Sequence, residues 1–547
     1  MMQYILPFIL AMVVTMASLP LFVRLAHKWL IVDQPGGRKV HAAPIPRIGG
    51  LAMACGVMVA ALVTIDLQAP DRWLLLAAGV LVLFGALDDR FDLDYRIKLL
   101  GQLIAVGIAV FPGGVQLHNI MLTDPIAMPA WLAIPLTAFF LVGITNAINL
   151  ADGLDGLAGG TTFLCLCAVA LLSSIGESGN STALALAFAG AVLGFLRFNT
   201  YPASVFMGDA GSQLLGFAIG VLSVRATQGA SSQISTALPV LLLAVPILDT
   251  LSVMVQRISE GRSPFSADKN HIHHKLLALG FKHHEAVIVI YAAQAALFVC
   301  AYFLRFESDL LILGVVTAFF ALAILAFQLA TRRGWHLRPG RSAVPDGQHP
   351  LVSRLATTPP WLARLSYLTL AIALAIYAGV IAVETASLSR DICALVLGLL
   401  ALMLGYAVVN RAKPLGFVER GALFVTATIL VYLDAVVLPA DRTVAIIGSA
   451  ALAIAALASV LRLSLFSDRR FQLTPLDLIV LFMALVVPSL IGNLSLPHGG
   501  ALAIGKLVVL FYGVELLMSR SEGRHLWVRI AAVVVLTGLA VRSVAAL

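Results

Sequence analysis

Apolar runs at or near the length needed to cross a lipid bilayer recur along the whole of this chain, among them Ile5–Val23, Leu51–Ile65, Trp73–Leu87, Leu238–Val255 and Leu310–Leu329. A helix that spans the hydrocarbon core needs about 20 such residues. In lipid only helices and closed barrels satisfy their own backbone polar groups, and these runs lack the apolar–polar alternation of barrel strands. The chain is 60% hydrophobic and 12% charged, whereas soluble globular proteins carry about 25% charged residues. The expected fold class is an all-α polytopic membrane protein.

About eleven spans are expected up to residue 330, at roughly 4–26, 47–66, 72–87, 97–113, 130–147, 160–175, 181–197, 205–224, 236–256, 286–304 and 309–330, with six or seven more towards the C-terminus. The first run has no basic residue before it and Arg24 and Lys28 after it, which predicts a retained helix and not a signal peptide. The loops alternate sharply in charge. One set holds twenty Lys and Arg, from Arg24 to Arg364, and the other only Arg72, Arg225 and Arg305. Basic loops stay in the cytoplasm, so the first set is expected there, with the N-terminus outside. The net charge of +8 therefore speaks to topology and not to nucleic acid. The five cysteines lie inside apolar runs, without disulfide or zinc spacing. Three parts are expected: a membrane domain at 1–330, a polar Pro- and Arg-containing cytoplasmic linker at 331–363, and a second membrane domain at 364–547 in which Asp434, Lys506 and Glu515 interrupt the apolar runs.

Polar residues of the first 330 positions concentrate in five loops, all on the face assigned to the cytoplasm. GGRKVHAAPIPRIGG brings the cations Lys39 and Arg47 on a Gly- and Pro-fixed backbone suited to a phosphate. LDDRFDLDYRIK brings Asp88, Asp89, Asp92 and Asp94 to a helix end, with Lys98 at the start of the next span. Paired carboxylates there suit Mg²⁺ shared with a diphosphate. In NAINLADGLDGLAGG, Asn146, Asn149, Asp152 and Asp155 recur every third residue and would share one face of a helix. RFNTYPASVFMGDAGS places Asp209 after Gly208 at a helix entrance, with Phe206 available to stack on a base. ISEGRSPFSADKNHIHHKLLALG holds His271, His273 and His274, which lack zinc spacing and suit a cationic or hydrogen-bonding clamp on a diphosphate. His283 and His284 are expected at the surface, and Asp249 is an acid inside a span, either functional or paired with a neighbour. Together these groups point to metal-dependent transfer at a diphosphate.

KVHAAPIPRIGG, LDDRFD, NAINLADGLDGLAGG, FMGDAGS and HIHH, in that order, resemble the polyprenyl-phosphate N-acetylhexosamine-1-phosphate transferases, over about residues 1–330. HIHH is similar to the branch that uses UDP-GlcNAc. The resemblance implies transfer of GlcNAc-1-phosphate from a UDP-sugar to undecaprenyl phosphate, releasing UMP, in a bacterial inner membrane with the active site cytoplasmic. It implies Mg²⁺, with Mn²⁺ as an alternative, held by Asp209 with Asp155 near the metal or its diphosphate. Asp88 and Asp89 would form the family's acidic pair, with Asp88 activating the lipid phosphate. Lys39 and Lys98 would contact phosphates or uridine; Asn149, Asp152, Asn199 and Phe206 would line the uridine pocket; His271, His273 and His274 would hold the diphosphate or sugar. Homo-oligomerisation is left open. Two other readings stand beside it: a transporter, which would need polar groups along a path through the membrane, and a scaffold role for residues 364–547, compatible with the enzyme, since the resemblance implies that typical members end near the eleventh span.

Overall fold

The computed structural model describes residues 2–33, 44–122, 124–176, 179–229, 232–263, 270–337, 360–384, 388, 390–409, 417–436, 442–465, 500–519 and 525–544. Lys39 and most of the expected linker at 331–363 lie outside them. The chain forms two compact units, one over Met1–Arg341 and one over Ser342–Leu473 with Val480–Leu547.

The first unit contains α1 (Met2–Trp29), α2 (Gly49–Thr64), α3 (Ala69–Phe91), α4 (Tyr95–Val110), α5 (Ala130–Ala151), α6 (Leu157–Ile175), α7 (Gly179–Asn199), α8 (Gly208–Thr227), α9 (Leu238–Leu242), α10 (Ala244–Ser259), α11 (Ile272–Ala278), α12 (His283–Phe303) and α13 (Asp309–Arg332). The second contains α14 (Pro360–Glu384), α15 (Arg390–Val409), α16 (Phe417–Val436), α17 (Arg442–Leu465), α18 (Gly500–Ser519) and α19 (His525–Val544). Seven helices among the described residues are individually long and apolar enough to cross a membrane. This is a multi-pass, helical membrane protein. Two short antiparallel ribbons, Val32–Asp33 with Ile45–Pro46 and Asn119–Met121 with Pro125–Ala127, are additions that the apolar pattern did not announce.

Every span expected before residue 330 has a helix at its place, but the ninth is broken at Leu243. Pro246 supplies no N–H and its ring crowds the carbonyl four residues earlier. That carbonyl, of Leu242, turns to Gln294 Nε2 at 2.8 Å and to the Cys165 thiol at 3.4 Å, both on other helices.

At the centre lies α8, buried from Ala210 to Val224 and packed by α2, α3, α5 and α6. Small residues set this closeness, as in membrane helix pairs generally. A Cβ at Gly50 of α2 would fall on the Gly211 backbone, and one at Gly85 of α3 on the Ala210 backbone. The N-terminus of α8 is thus clasped between two helices with no room to shift. Gly85→Ala should force these helices apart, costing about 1–3 kcal/mol as other overpacked cores do. A lower melting midpoint of the detergent-solubilised protein, with transfer reduced in parallel, is the expected readout; an unchanged midpoint would show that the helices yield freely.

Candidate active site

The end of α3, the start of α4, the end of α5 and the start of α8 meet at one end of the first unit. Asp88 is buried (6% exposed), its Oδ1 taking the Leu93 N–H at 2.7 Å and its Oδ2 lying 2.5 Å from Lys98 Nζ. The same ammonium stands 3.3 Å from Asp209 Oδ2. Asn149 Nδ2 donates to Asp209 Oδ1 at 3.1 Å and to Ser212 Oγ at 2.8 Å. One lysine therefore bridges two carboxylates whose residues lie on α3 and α8, and an amide from α5 fixes the second of them. One level below, Gln102 and Asn146 exchange amide hydrogen bonds at 3.2 and 2.8 Å and tie α4 to α5.

The two adjacent acids of LDDRFD separate in placement. Asp89 accepts the backbone N–H groups of Asp209 at 2.9 Å and Ala210 at 3.1 Å, capping α8 at the positive end of the helix dipole. Gly208 is needed for this: its φ is +71°, and any Cβ would meet the Asp89 carboxylate. Asp89 is thereby a brace under Asp209 and not a second open ligand.

The expectation that Asn146, Asn149, Asp152 and Asp155 share a helix face holds for the two asparagines only. Helix α5 ends at Ala151, and Asp152 and Asp155 lie in the loop that follows, where Gly156 adopts φ +82°. Asp155 Oδ2 accepts the Ala203 N–H at 2.9 Å and so faces the loop after α7. Asp152 accepts no hydrogen bond among the described residues; burial, then the charges of Asp209 and Asp155, push its carboxyl up to about 7, against the pull of Arg47. Asn199, expected in a nucleoside pocket, is 2% exposed with both ends of its amide engaged, Oδ1 with Gly156 N–H and Nδ2 with Val205 carbonyl, each at 3.0 Å. It holds two loops together. Phe206 remains half-buried; its N–H bonds to Pro46 carbonyl at 2.8 Å and its carbonyl takes the Gly49 N–H at 3.0 Å, joining the first loop to the fourth. Arg47 of that first loop pairs with the buried Asp33.

Asp249 of α10 is the anchor of the histidine cluster. Its Oδ2 lies 2.9 Å from His271 Nδ1 and its Oδ1 accepts the Ile272 N–H at 2.6 Å, at the start of α11. His271 and His273 stack at 5.6 Å, and the His274 ring lies tilted against His273 at 4.3 Å. The His273 ring fills the space beside Gly153, which brings the fifth loop onto the third. Burial, then the neighbouring His274, pushes the His273 imidazole down to about 4, so it is neutral near pH 7 and acts as a hydrogen-bonding group. His283 is a correction: expected at the surface, it stacks on Tyr201 at 4.6 Å and stands against Asp155. Tyr291 also supports the third loop, its hydroxyl donating to Gly156 carbonyl at 2.5 Å.

The family model for glycosyl transferase family 4 matches residues 72–227, from the start of α3 to the end of α8. The chain is 38% identical over 297 residues to a probable undecaprenyl-phosphate N-acetylglucosaminyl 1-phosphate transferase of Bacillus subtilis, which covers 53% of this chain and 82% of that protein. The chain belongs to glycosyl transferase family 4. Two other relatives carry the same message for this membrane family. A decaprenyl-phosphate N-acetylglucosaminephosphotransferase of Mycolicibacterium smegmatis is 37% identical over 298 residues, 49% of this chain and 73% of its own. An undecaprenyl-phosphate alpha-N-acetylglucosaminyl 1-phosphate transferase of Escherichia coli K12 is 33% identical over 324 residues, 57% of this chain and 86% of its own.

Among the described residues no three His, Cys, Asp or Glu side chains converge into a metal cage. What the family member offers instead is Asp209, whose side chain is 29% exposed, with Asp152 nearby and a lysine between Asp209 and Asp88. That set fits Mg²⁺, which keeps several waters and binds through one or two carboxylates together with a substrate's phosphates. Gln102 and Tyr291 are parts of the site that lie outside the motifs, and only their positions facing the motif loops reveal them; Ser212 ends FMGDAGS, but its bond to Asn149 is not legible there.

Proposed function

We propose that this protein transfers N-acetylhexosamine-1-phosphate, most readily GlcNAc-1-phosphate, from a UDP-sugar to undecaprenyl phosphate in a bacterial inner membrane, at its cytoplasmic face. The observation that carries the proposal is Lys98, bridging Asp88 and Asp209 while the same helix exposes Tyr95, Ile97, Leu99 and Leu100 at 41–59%. A cation with an apolar, lipid-facing flank is what a lipid phosphate arriving sideways from the bilayer would meet. The relatives' names supply the polyprenyl phosphate and N-acetylglucosaminyl 1-phosphate chemistry, and the basic loops supply the sidedness.

In the reaction, an oxygen of the lipid phosphate attacks the sugar-bearing phosphorus of the UDP-sugar. The bond from that phosphorus to the bridging oxygen breaks, and the electron pair leaves with UMP. Mg²⁺ or Mn²⁺ held by Asp209 and the donor's diphosphate would neutralise charge on the departing phosphate. Lys98 orients the attacking phosphate, and Asp88 sets the position of Lys98 and receives a proton where the lipid phosphate arrives monoprotonated. Asn149 holds the Asp209 carboxylate in register. Phe206 and Arg47 form the nucleotide side, and His271, His273 and His274, with Asp249 behind them, face the diphosphate or sugar. Direct attack needs only positioning and charge neutralisation. A transporter would need open polar groups along a path across the first unit; the residues of the motifs gather instead at one end of its helices, and at the other end Asp71 is closed by Arg225 and Asn180.

The test is purified full-length protein with undecaprenyl phosphate and a panel of UDP-sugars, following UMP. UMP should appear with UDP-GlcNAc, stop with EDTA and return with added Mg²⁺ or Mn²⁺. UMP release independent of undecaprenyl phosphate, or none from any UDP-N-acetylhexosamine, would overturn the assignment.

A further inference from the structure

Helix α16 of the second unit carries two acids near its opposite ends, and their surroundings differ. Glu419, in its first turn, is fully buried at 0% exposure. Arg529 of α19 meets it with Nε 2.5 Å from Oε1 and Nη2 2.9 Å from Oε2. A two-bond guanidinium–carboxylate pair of this kind is closed. It clamps α16 to α19.

Asp434, two residues before the end of α16 at Val436, is different. Lys506 Nζ of α18 at 2.5 Å and the Tyr377 hydroxyl of α14 at 2.7 Å both donate to the same oxygen, Oδ2. Oδ1 accepts nothing among the described residues, and two of the three ammonium N–H groups find no acceptor there. The Asp434 and Lys506 side chains keep 10% and 16% exposure. All three residues interrupt apolar helices, where open donors and acceptors are costly and mark function by default.

We propose that Lys506, Asp434 and Tyr377 form a binding site for a neutral, hydroxylated headgroup: the sugar of a membrane lipid. Charge balance selects this class. The ion pair is neutral, so a phosphate would bring uncompensated negative charge against Asp434, and a cation would face Lys506. What remains open is a mixed set of donors and acceptors, Lys506 N–H groups with Asp434 Oδ1, held in place by the buried Tyr377 hydroxyl, and a sugar's hydroxyls both donate and accept. The position near helix ends, inside apolar sequence, requires a lipid tail to deliver the sugar. The site lies in the second unit, outside residues 72–227 that the family model matches, so it goes beyond the transfer reaction.

Full-length protein in nanodiscs is photolabelled with an alkyl N-acetylglucosaminide carrying a diazirine next to the glycosidic oxygen, and labelled peptides are mapped by mass spectrometry. Label is expected in 360–384, 417–436 or 500–519, reduced at least fivefold by Asp434→Asn and by Lys506→Met. The same alkyl chain with a phosphate head should not label these helices. An unlabelled alkyl N-acetylglucosaminide should compete; equal competition by free N-acetylglucosamine would overturn delivery by lipid. The double variant Asp434→Leu/Lys506→Met leaves no unpaired charge and should melt as the parent does. Its labelling should still be lost. Unchanged labelling in that variant, or no label in the three helices of the parent protein, overturns the site. Because the readout is labelling and not UMP, it stands apart from whether the first unit transfers a sugar phosphate.

Discussion

Asp209→Asn is expected to lower UMP release from UDP-GlcNAc at least about 1,000-fold, roughly 4 kcal/mol of transition-state stabilisation at 1.36 kcal/mol per decade. The substitution removes a charge and almost no volume. The features that build this corner of the fold do not depend on that charge: Asp89 caps α8 through the backbone N–H groups of residues 209 and 210, and Gly50 and Gly85 clasp the same turn by contact with backbone. The melting midpoint should therefore stay near the parent value while activity collapses. What goes is the negative charge of the carboxylate to whose Oδ1 Asn149 donates and beside whose Oδ2 Lys98 stands, the one half-open carboxylate of the bridged pair. Asp209→Glu keeps the charge one methylene further out and should retain more activity than Asn. Near-normal turnover in Asp209→Asn would reject its place at the diphosphate.

The helices were legible because a run of apolar residues in lipid has few alternatives to helix. The gathering of the five loops was legible for a similar reason, since charge asymmetry sorts loops by side whatever the packing. Side-chain assignments were less so. Asp88 and Asp89 are neighbours in sequence, yet successive helical residues point about 100° apart, so one reaches Lys98 and the other turns under α8. The three-residue spacing from Asn146 to Asp155 looks helical throughout, but Gly153 and Gly156 end the helix, and the positive φ of Gly156 is a property of the turn and not of the spacing. Asn199 belongs to the same stretch as Phe206, and only the positions of Gly156 and Val205 show that its amide is fully engaged. Pro246 marks the break at Leu243, but the partners that satisfy the freed Leu242 carbonyl, Gln294 and Cys165, are ones that local sequence cannot supply. In the second unit, Lys506 and Asp434 stood out as charges in apolar sequence; that they meet each other across α18 and α16 follows from packing alone.

Lys98→Met should be the second most damaging single change, lowering kcat/KM about 100-fold, close to 2.7 kcal/mol. Methionine keeps the length and much of the apolar contact of the lysine stem, so packing at the start of α4 should survive. The ammonium does two things that methionine cannot. It stands between Asp88 at 2.5 Å and Asp209 at 3.3 Å, where without it two carboxylates face one another, and it offers the cation on which a lipid phosphate would settle. The Lys98 side chain is 30% exposed, so water relieves part of the like-charge repulsion, and stability should suffer less than in a fully buried site. Loss should therefore appear mainly in kinetics, and chiefly against undecaprenyl phosphate as the varied substrate. Lys98→Arg separates the two roles: it keeps the charge but spreads it over a planar fork that cannot take the place of a compact ammonium between two oxygens. Partial recovery of the lipid KM with a persistent deficit in kcat is the expected pattern. A KM change confined to the UDP-sugar would move Lys98 from the lipid phosphate to the nucleotide side of the site.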